Sequence, residues 1–262
     1  MNLDLTQRHA IVCGSSQGIG RAVAMELASM GCTITLMARN PELLEQVRQQ
    51  LDDSANQRHS IVVADFLDFS QVKLAIDQYV AAGKTADILI NNTGGPPPGP
   101  ALESKVNEYL AAFESHLICN QILTAAVVPG MKAKQFGRIV NIISTSVKQP
   151  LDGLGVSNTI RGAVANWAKT MAGELGPFGI TVNNVLPGMT HTQRLDLIIK
   201  RRAEKLGISI EAVVQEMELE TPARRFGTAA EIAAAAAFLA SPAASYINGI
   251  NLPVDGGRTK CL

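Results

Sequence analysis

The chain is 262 residues long, and its 23 Lys and Arg residues are balanced by 23 Asp and Glu residues. That balance speaks against the broad positive field that nucleic-acid binding needs. The basic run Lys200-Arg201-Arg202 is followed closely by Glu204 and reads as a solvated helix face. Cys13, Cys32, Cys119 and Cys261 are scattered, with no CxxC pair and no zinc spacing to histidine, so neither a disulfide framework nor a metal site is expected. The first residues carry no apolar signal region, and no stretch reaches the roughly 18 uninterrupted apolar residues of a membrane span. The expectation is a soluble cytoplasmic protein with neither a membrane nor a nucleic-acid partner.

Apolar runs alternate with helical patterns along the whole chain. A strand is expected over 9–13, ending in a glycine-rich turn, then a helix over 21–30 that Gly31 stops. A strand over 33–38 is followed by a helix over 41–51, with Asn40 suited to cap it and Pro41 to start it. A strand over 60–64, a helix over 70–82 and a strand over 87–90 continue the rhythm. Two long helical patterns, 106–132 and about 158–175, enclose a strand over 138–143. Strands over 180–186 and 250–254 flank a helix over 231–240. This order predicts an α/β fold: a doubly wound parallel sheet in a Rossmann-type three-layer α/β/α arrangement, as one domain over 1–262. The segment 188–222 interrupts the rhythm just after a strand's carboxyl end, where a substrate lid would sit.

Gly14-Ser15-Ser16-Gln17-Gly18-Ile19-Gly20 lies between the first strand and the first helix. Glycines there permit a tight turn and let backbone N–H groups approach a pyrophosphate, with the helix N-terminus adding partial positive charge. Ser16, Gln17, Gly18 and Ile19 are therefore candidate cofactor contacts, with Gly14 and Gly20 shaping the turn. The second strand ends Met37-Ala38-Arg39, with no carboxylate to hold a ribose 2′-hydroxyl. Arg39 is suited to pair with a 2′-phosphate, which favours NADP(H) and leaves NAD(H) open. Gln17 supplies no second positive charge for that phosphate.

From these residues the chain resembles the short-chain dehydrogenase/reductase family over nearly its full length. The landmarks are the Gly14 to Gly20 loop, Asp65 after the third strand, Asn91-Asn92-Thr93-Gly94 after the fourth, and Gly137-Arg138-Ile139-Val140-Asn141. Pro187-Gly188 with Thr192, Arg225-Phe226-Gly227 and Val254-Asp255-Gly256-Gly257 follow in order. The resemblance is strongest to the 3-oxoacyl-acyl-carrier-protein-reductase-like subgroup. It implies cofactor contacts from Asp65, Phe66, Asn92, Thr93, Gly94, Pro187, Gly188 and Thr192, and a homotetramer or dimer. Cys13 stands where the family usually has Thr, and Thr93 where it usually has Ala.

The family's active site is a tetrad of Asn, Ser, Tyr and Lys, the last two spaced YxxxK on a helix. Ser144 holds the serine position. Thirteen residues on, Ser157 replaces Tyr, and Arg161 replaces Lys; counted back from Pro129, His116 holds the Asn position. The tyrosines Tyr79, Tyr109 and Tyr246 have no Lys four residues later. The i, i+4 spacing keeps Ser157 and Arg161 on one helix face. Arg161 can hydrogen-bond a nicotinamide ribose and supply positive charge where an alkoxide forms, but it stays protonated and relays no proton. His116 is the leading alternative proton donor and His191 the second, since imidazole titrates near neutrality. The loop Gly94-Gly95-Pro96-Pro97-Pro98-Gly99-Pro100 is a stiff candidate wall of the nicotinamide pocket. These features predict an NADP(H)-dependent carbonyl or alcohol oxidoreductase with a non-standard proton donor. A cofactor-binding protein with little dehydrogenase activity, acting as sensor or assembly subunit, is the alternative. An enzyme of another reaction class that keeps the cofactor structurally is the third possibility.

Overall fold

Each apolar run whose two faces must both be buried becomes a strand of one sheet. The structure, a computed structural model, describes residues 1–261. Its seven parallel strands are β1 (His9–Cys13), β2 (Thr33–Ala38), β3 (Ser60–Val63), β4 (Ile88–Asn91), β5 (Gly137–Ile142), β6 (Ile180–Pro187) and β7 (Asn251–Val254), in the order β3-β2-β1-β4-β5-β6-β7. Side chains alternate between faces with the strand period of two. Val12, Ile90 and Val140 pack with Val23, Leu27 and Ile232 on one face, and their neighbours Ile11, Leu89 and Ile139 pack with Ile76, Leu123 and Ala168 on the other. This double burial is why the strands read as continuous hydrophobic runs.

The first face carries α1 (Gly18–Ser29), α2 (Pro41–Arg48) through Leu44 and Val47, and, near the C-terminus, α9 (Ala229–Ala240). Helix α2 starts as its sequence demands: the Asn40 side chain accepts from the Leu43 N–H at 2.8 Å, with Pro41 in the first turn. The other face carries α3 (Phe69–Ala81), α4 (Val106–Phe113), α5 (Cys119–Lys134) and α6 (Gly155–Leu175). A π-helical turn, Glu114–Ile118, joins α4 to α5 into one helical path. By composition that path is long and apolar enough to cross a membrane, but Cys119, Leu123, Val127 and Met131 bury against the sheet while Leu110 and Phe113 remain exposed. Helices α7 (Gln193–Leu206) and α8 (Ile210–Leu219) occupy the inserted segment as a hairpin with its own core of Leu195, Ile199, Val213, Met217 and Phe226. Arg202 in that hairpin pairs with Glu216 and Glu220, as a solvated helix face does.

Helices α1 and α6 each begin about three residues earlier than their apolar periodicity alone predicts. Helix α1 starts at Gly18, inside the glycine loop, where the left-handed φ of +57° redirects the chain from the loop into the helix that follows. Helix α6 starts at Gly155 because the Gly155 N–H donates to the Gly99 carbonyl and the Gly99 N–H to the Gly153 carbonyl, at 3.0 and 2.7 Å.

Two polar networks cross the sheet. Across one half of the sheet, from the last residue of β4 to the first of β7, Asn91, Asn141, Asn184 and Asn251 stand in register. Their amides form a ladder in which each Nδ2 donates to the next Oδ1 at 2.8 Å. At the amino end of β4, Asp87 is 1% exposed, accepts from the His9 N–H and pairs with Arg8 and Lys134. His9 Nε2 lies 2.8 Å from Thr35 Oγ1. This places His9 far from the carboxyl edge, as its strand position predicts.

Candidate functional site

The turn between β1 and α1 is held from three sides. The Gly14 N–H donates to the Met37 carbonyl at 2.8 Å, and Ser15 Oγ accepts from the Met37 N–H at 3.0 Å, which ties the loop to β2. The Asn92 amide donates to the Cys13 and Gly14 carbonyls, each at 3.3 Å. Gly14 takes φ +57°, and Gly20 packs so tightly that a Cβ there would lie 2.2 Å from the Gly14 carbonyl oxygen. Only glycine permits this closeness. Above the loop, Thr192 approaches Gly18, its Cγ2 3.5 Å from where a Gly18 Cβ would sit, so the segment after Pro187 and Gly188 reaches across the glycine turn. Thr192 also caps α7, its Oγ1 accepting from the Leu195 N–H. Arg39 follows β2 exposed, with no ion pair among the described residues. Ser16, Gln17 and Ile19 lie on the same turn, and Gln17 is exposed. Asp65 and Phe66 follow β3, where Asp65 accepts from the Leu67 N–H and Phe66 is buried. Gly94 is exposed, and a Cβ on it would meet nothing within 4 Å.

One strand further along the carboxyl edge, β5 leads into Ser144, which caps a 3₁₀ turn, Thr145–Val147, its Oγ accepting from the Ser146 N–H at 3.1 Å. Both that turn and the π-helical turn pack against α6. Ser157 and Arg161 are buried on α6, and Arg161 Nη1 donates to the Ile142 carbonyl at 3.2 Å. Burial, with Arg194 nearby, pushes Arg161 down to about 10, so it remains a cation at neutral pH. His116 lies in the π-helical turn, 2% exposed, with Nε2 lacking a hydrogen-bond partner. Burial first, then the charges of Arg161 and Arg194, hold its pKa well below the ordinary imidazole range. This corrects the expectation of titration near neutrality: His116 is neutral there, because two cations and a dry site both oppose its charging. His191 is exposed and its ring packs edge-on against Phe226.

Arg194 is one residue that the sequence did not single out. It starts α7, and its Nη1 and Nη2 donate to the Gly95 and Pro96 carbonyls at 2.7 and 3.1 Å. The proline-rich loop is therefore gripped at one end by the helical hairpin and at the other by the start of α6. Ser15 was missed as well, since its role depends on a β2 neighbour that the loop motif does not reveal. Between the 3₁₀ turn after Ser144 and the end of α8 lies a cavity of about 210 Å³, lined by Thr145, Gln149, Glu220 and Arg258 among others.

The family model for enoyl-(acyl carrier protein) reductase matches residues 14–259. The chain belongs to the short-chain dehydrogenase/reductase family. Over 260 residues it is 31% identical to the NADPH-dependent reductase BacG of Bacillus subtilis, covering 98% of this chain and 100% of the relative. Over 248 residues it is 32% identical to the 3-oxoacyl-[acyl-carrier-protein] reductase FabG of Haemophilus influenzae, covering 95% and 96% of the two chains. The crystal structure of L-sorbose reductase from Gluconobacter frateurii, complexed with NADPH and L-sorbose, superposes with a TM-score of 0.93 at 29% identity, covering 100% of both chains. Within this short-chain dehydrogenase/reductase, Ser144, Ser157, Arg161 and His116 stand on three elements packed together at the carboxyl edge of β4 and β5.

Proposed function

We propose that the protein is an NADP(H)-dependent oxidoreductase acting on a carbonyl or alcohol substrate, working without the family's tyrosine. The observation that carries this reading is the glycine turn at the N-terminus of α1, braced by Ser15 and Asn92, with Arg39 and no carboxylate at the end of β2. The open space over Gly94, the Gly14–Gly20 approach and the positive helix end fit a dinucleotide. Gly14, Ser16, Gln17, Gly18, Ile19 and Gly20 would hold its pyrophosphate, Arg39 its 2′-phosphate, Asp65 and Phe66 its adenine end. Asn92, Thr93, Gly94, Arg161, Pro187, Gly188 and Thr192 would hold its nicotinamide half. When bound, the reduced nicotinamide supplies a hydride. Ser144 Oγ donates a hydrogen bond to the substrate oxygen, and Arg161 places a permanent charge where negative charge grows. The cavity beside Thr145 takes the substrate body, and the 188–222 hairpin acts as lid of the single 1–262 domain.

What the site lacks is a strong proton donor. Serine is a poorer acid than tyrosine, and His116 is held neutral. Losing a positioned general acid costs about 10²–10⁴ in rate. That deficit favours a second reading, a cofactor-binding protein with little turnover. Purified protein screened for NADPH oxidation over a carbonyl panel, beside a direct NADPH titration, separates the two: binding with turnover supports the reductase, binding without turnover supports the second. Ser157→Tyr with Arg161→Lys restores the family spacing and is expected to recover part of that roughly 10²–10⁴ on simple ketones. A slower double variant of a brisk natural enzyme would show that the site has its own donor.

The exposed apolar side chains Val106, Leu110 and Phe113 on α4, with Phe69 and Leu74 on α3, are the surface of self-association into a homotetramer or dimer. A monomer by light scattering at micromolar concentration would refute this.

A further inference from the structure

We infer that Arg161 and Arg194 together form a receptor for a carboxylate of the substrate, placed beside the carbon that is reduced. This rests on the reductase reading above and names its substrate class.

A buried guanidinium that serves only structure has its donors filled, as Arg138 shows in this same protein. Its Nε donates to the Ser241 carbonyl and its Nη1 to the Gly137 and Gly179 carbonyls. Arg161 is 8% exposed, yet among the described residues its one hydrogen bond runs from Nη1 to the Ile142 carbonyl, and its buried Nε has no partner. Arg8, Arg48, Arg202, Arg225 and Arg258 all pair with carboxylates. Neither Arg161 nor Arg194 forms an ion pair among the described residues. The nearby His116 contributes a second orphaned buried nitrogen, Nε2. Burying the Arg161 cation without a counter-charge is costly unless an anion completes the site, whereas Arg194 is exposed and reaches in from the helical hairpin.

Position says which anion. Arg161 is fixed to the end of β5, two residues before Ser144, and Arg194 to the Gly95 and Pro96 carbonyls just after β4. β4 and β5 are neighbours, with Asn91 opposite Asn141. Arg194 lies near enough for its charge to bear on Arg161, so the two guanidiniums come together beside the end of β5, from which Ser144 follows. The cofactor phosphates have their own cradle at β1 and α1, on the far side of β4. A carboxylate accepts two parallel N–H bonds from a guanidinium fork, so it suits such a site in shape as well as charge. Because Arg194 belongs to α7, the same carboxylate would tie the hairpin down over the site.

The test uses NADPH-loaded protein, titrated with a panel of 2-oxo acids and their size-matched methyl esters while the fluorescence of bound NADPH is followed. The acids are expected to bind about tenfold or more tightly than the esters, the effect of a charge-assisted bond. Arg194→Gln should erase that preference and Arg194→Lys keep part of it, with NADPH affinity within about twofold, as for a surface change. Equal binding of acid and ester, or binding of neither, overturns the proposal, and that comparison needs no variant. It is also overturned if Arg194→Gln weakens NADPH binding about tenfold and leaves the acid preference intact, for Arg194 would then serve the cofactor. Acid-selective binding without NADPH oxidation upholds the receptor and counts against the reductase reading. Oxidation with neutral ketones and acids used alike does the reverse.

Discussion

Replacing Asn141 by alanine should be among the most damaging single changes in the sheet, although the residue touches no expected ligand. Its side chain is fully buried, accepts from Asn91 Nδ2 and donates to Asn184 Oδ1, each at 2.8 Å. Alanine removes both bonds and leaves a donor and an acceptor stranded in a dry layer. Each stranded group costs about 1–3 kcal/mol, so the loss is about 2–6 kcal/mol. Asn251→Ala, at the half-buried end of the same ladder, strands only one group, Asn184 Nδ2, and should cost about 1–3 kcal/mol, half the Asn141 loss. In thermal unfolding, where about 2–4 °C corresponds to 1 kcal/mol in a chain near this size, Asn141→Ala lowers Tm by roughly 5–20 °C. Urea unfolding of both variants is the cleaner assay, read as a shift of midpoint at constant slope. If the two variants cost the same, or if Asn141→Ala costs under about 1 kcal/mol, the amides do not act as a network and the reasoning fails.

Three further outcomes are expected. Gly20→Ala would put a methyl 2.2 Å from the Gly14 carbonyl oxygen, forcing the turn open, so NADPH affinity should fall about 10–100-fold, as for misplacements near 1 Å; unchanged affinity by titration would show that the loop yields elsewhere. Arg39→Ala should cost about tenfold or more in affinity for NADPH and little for NADH, and an unaltered preference in paired titrations would remove Arg39 from the 2′-phosphate site. His9 is pushed down to about 4 from 6.5, burial outweighing the attraction of Asp87. The unfolded chain therefore takes up that proton first, so stability is complete above pH 6.5 and about 3 kcal/mol is lost as pH falls from 6.5 to 4. Urea midpoints for His9→Gln should show a shallower decline across that window, and parallel curves would exonerate His9.

Much of the fold and the cofactor turn was legible in the chain because their causes are local. Strands buried on both faces read as unbroken apolar runs, Asn40-Pro41 starts a helix through its own side chain and fixed φ, and glycine at 14, 18 and 20 marks a turn that tolerates no Cβ. That Ser157 and Arg161 share one helix face was equally plain, since they are one helical turn apart by spacing alone. Other features belong to the assembled sheet. Within the helical pattern expected over 106–132, only packing separated Leu123 and Val127, inside, from Leu110 and Phe113, outside. Four asparagines spread between positions 91 and 251 become a ladder only when β4 to β7 adopt one register. His116 looked like a proton donor until its surroundings made it neutral, and Arg194 looked like one more arginine on a polar helix until that helix was laid over the proline-rich loop. The sequence determines which residues can turn, alternate or cap, since those depend on neighbours along the chain. Which charges end up together, and whether water can reach them, depends on elements far apart in sequence, and that the tertiary structure alone decided.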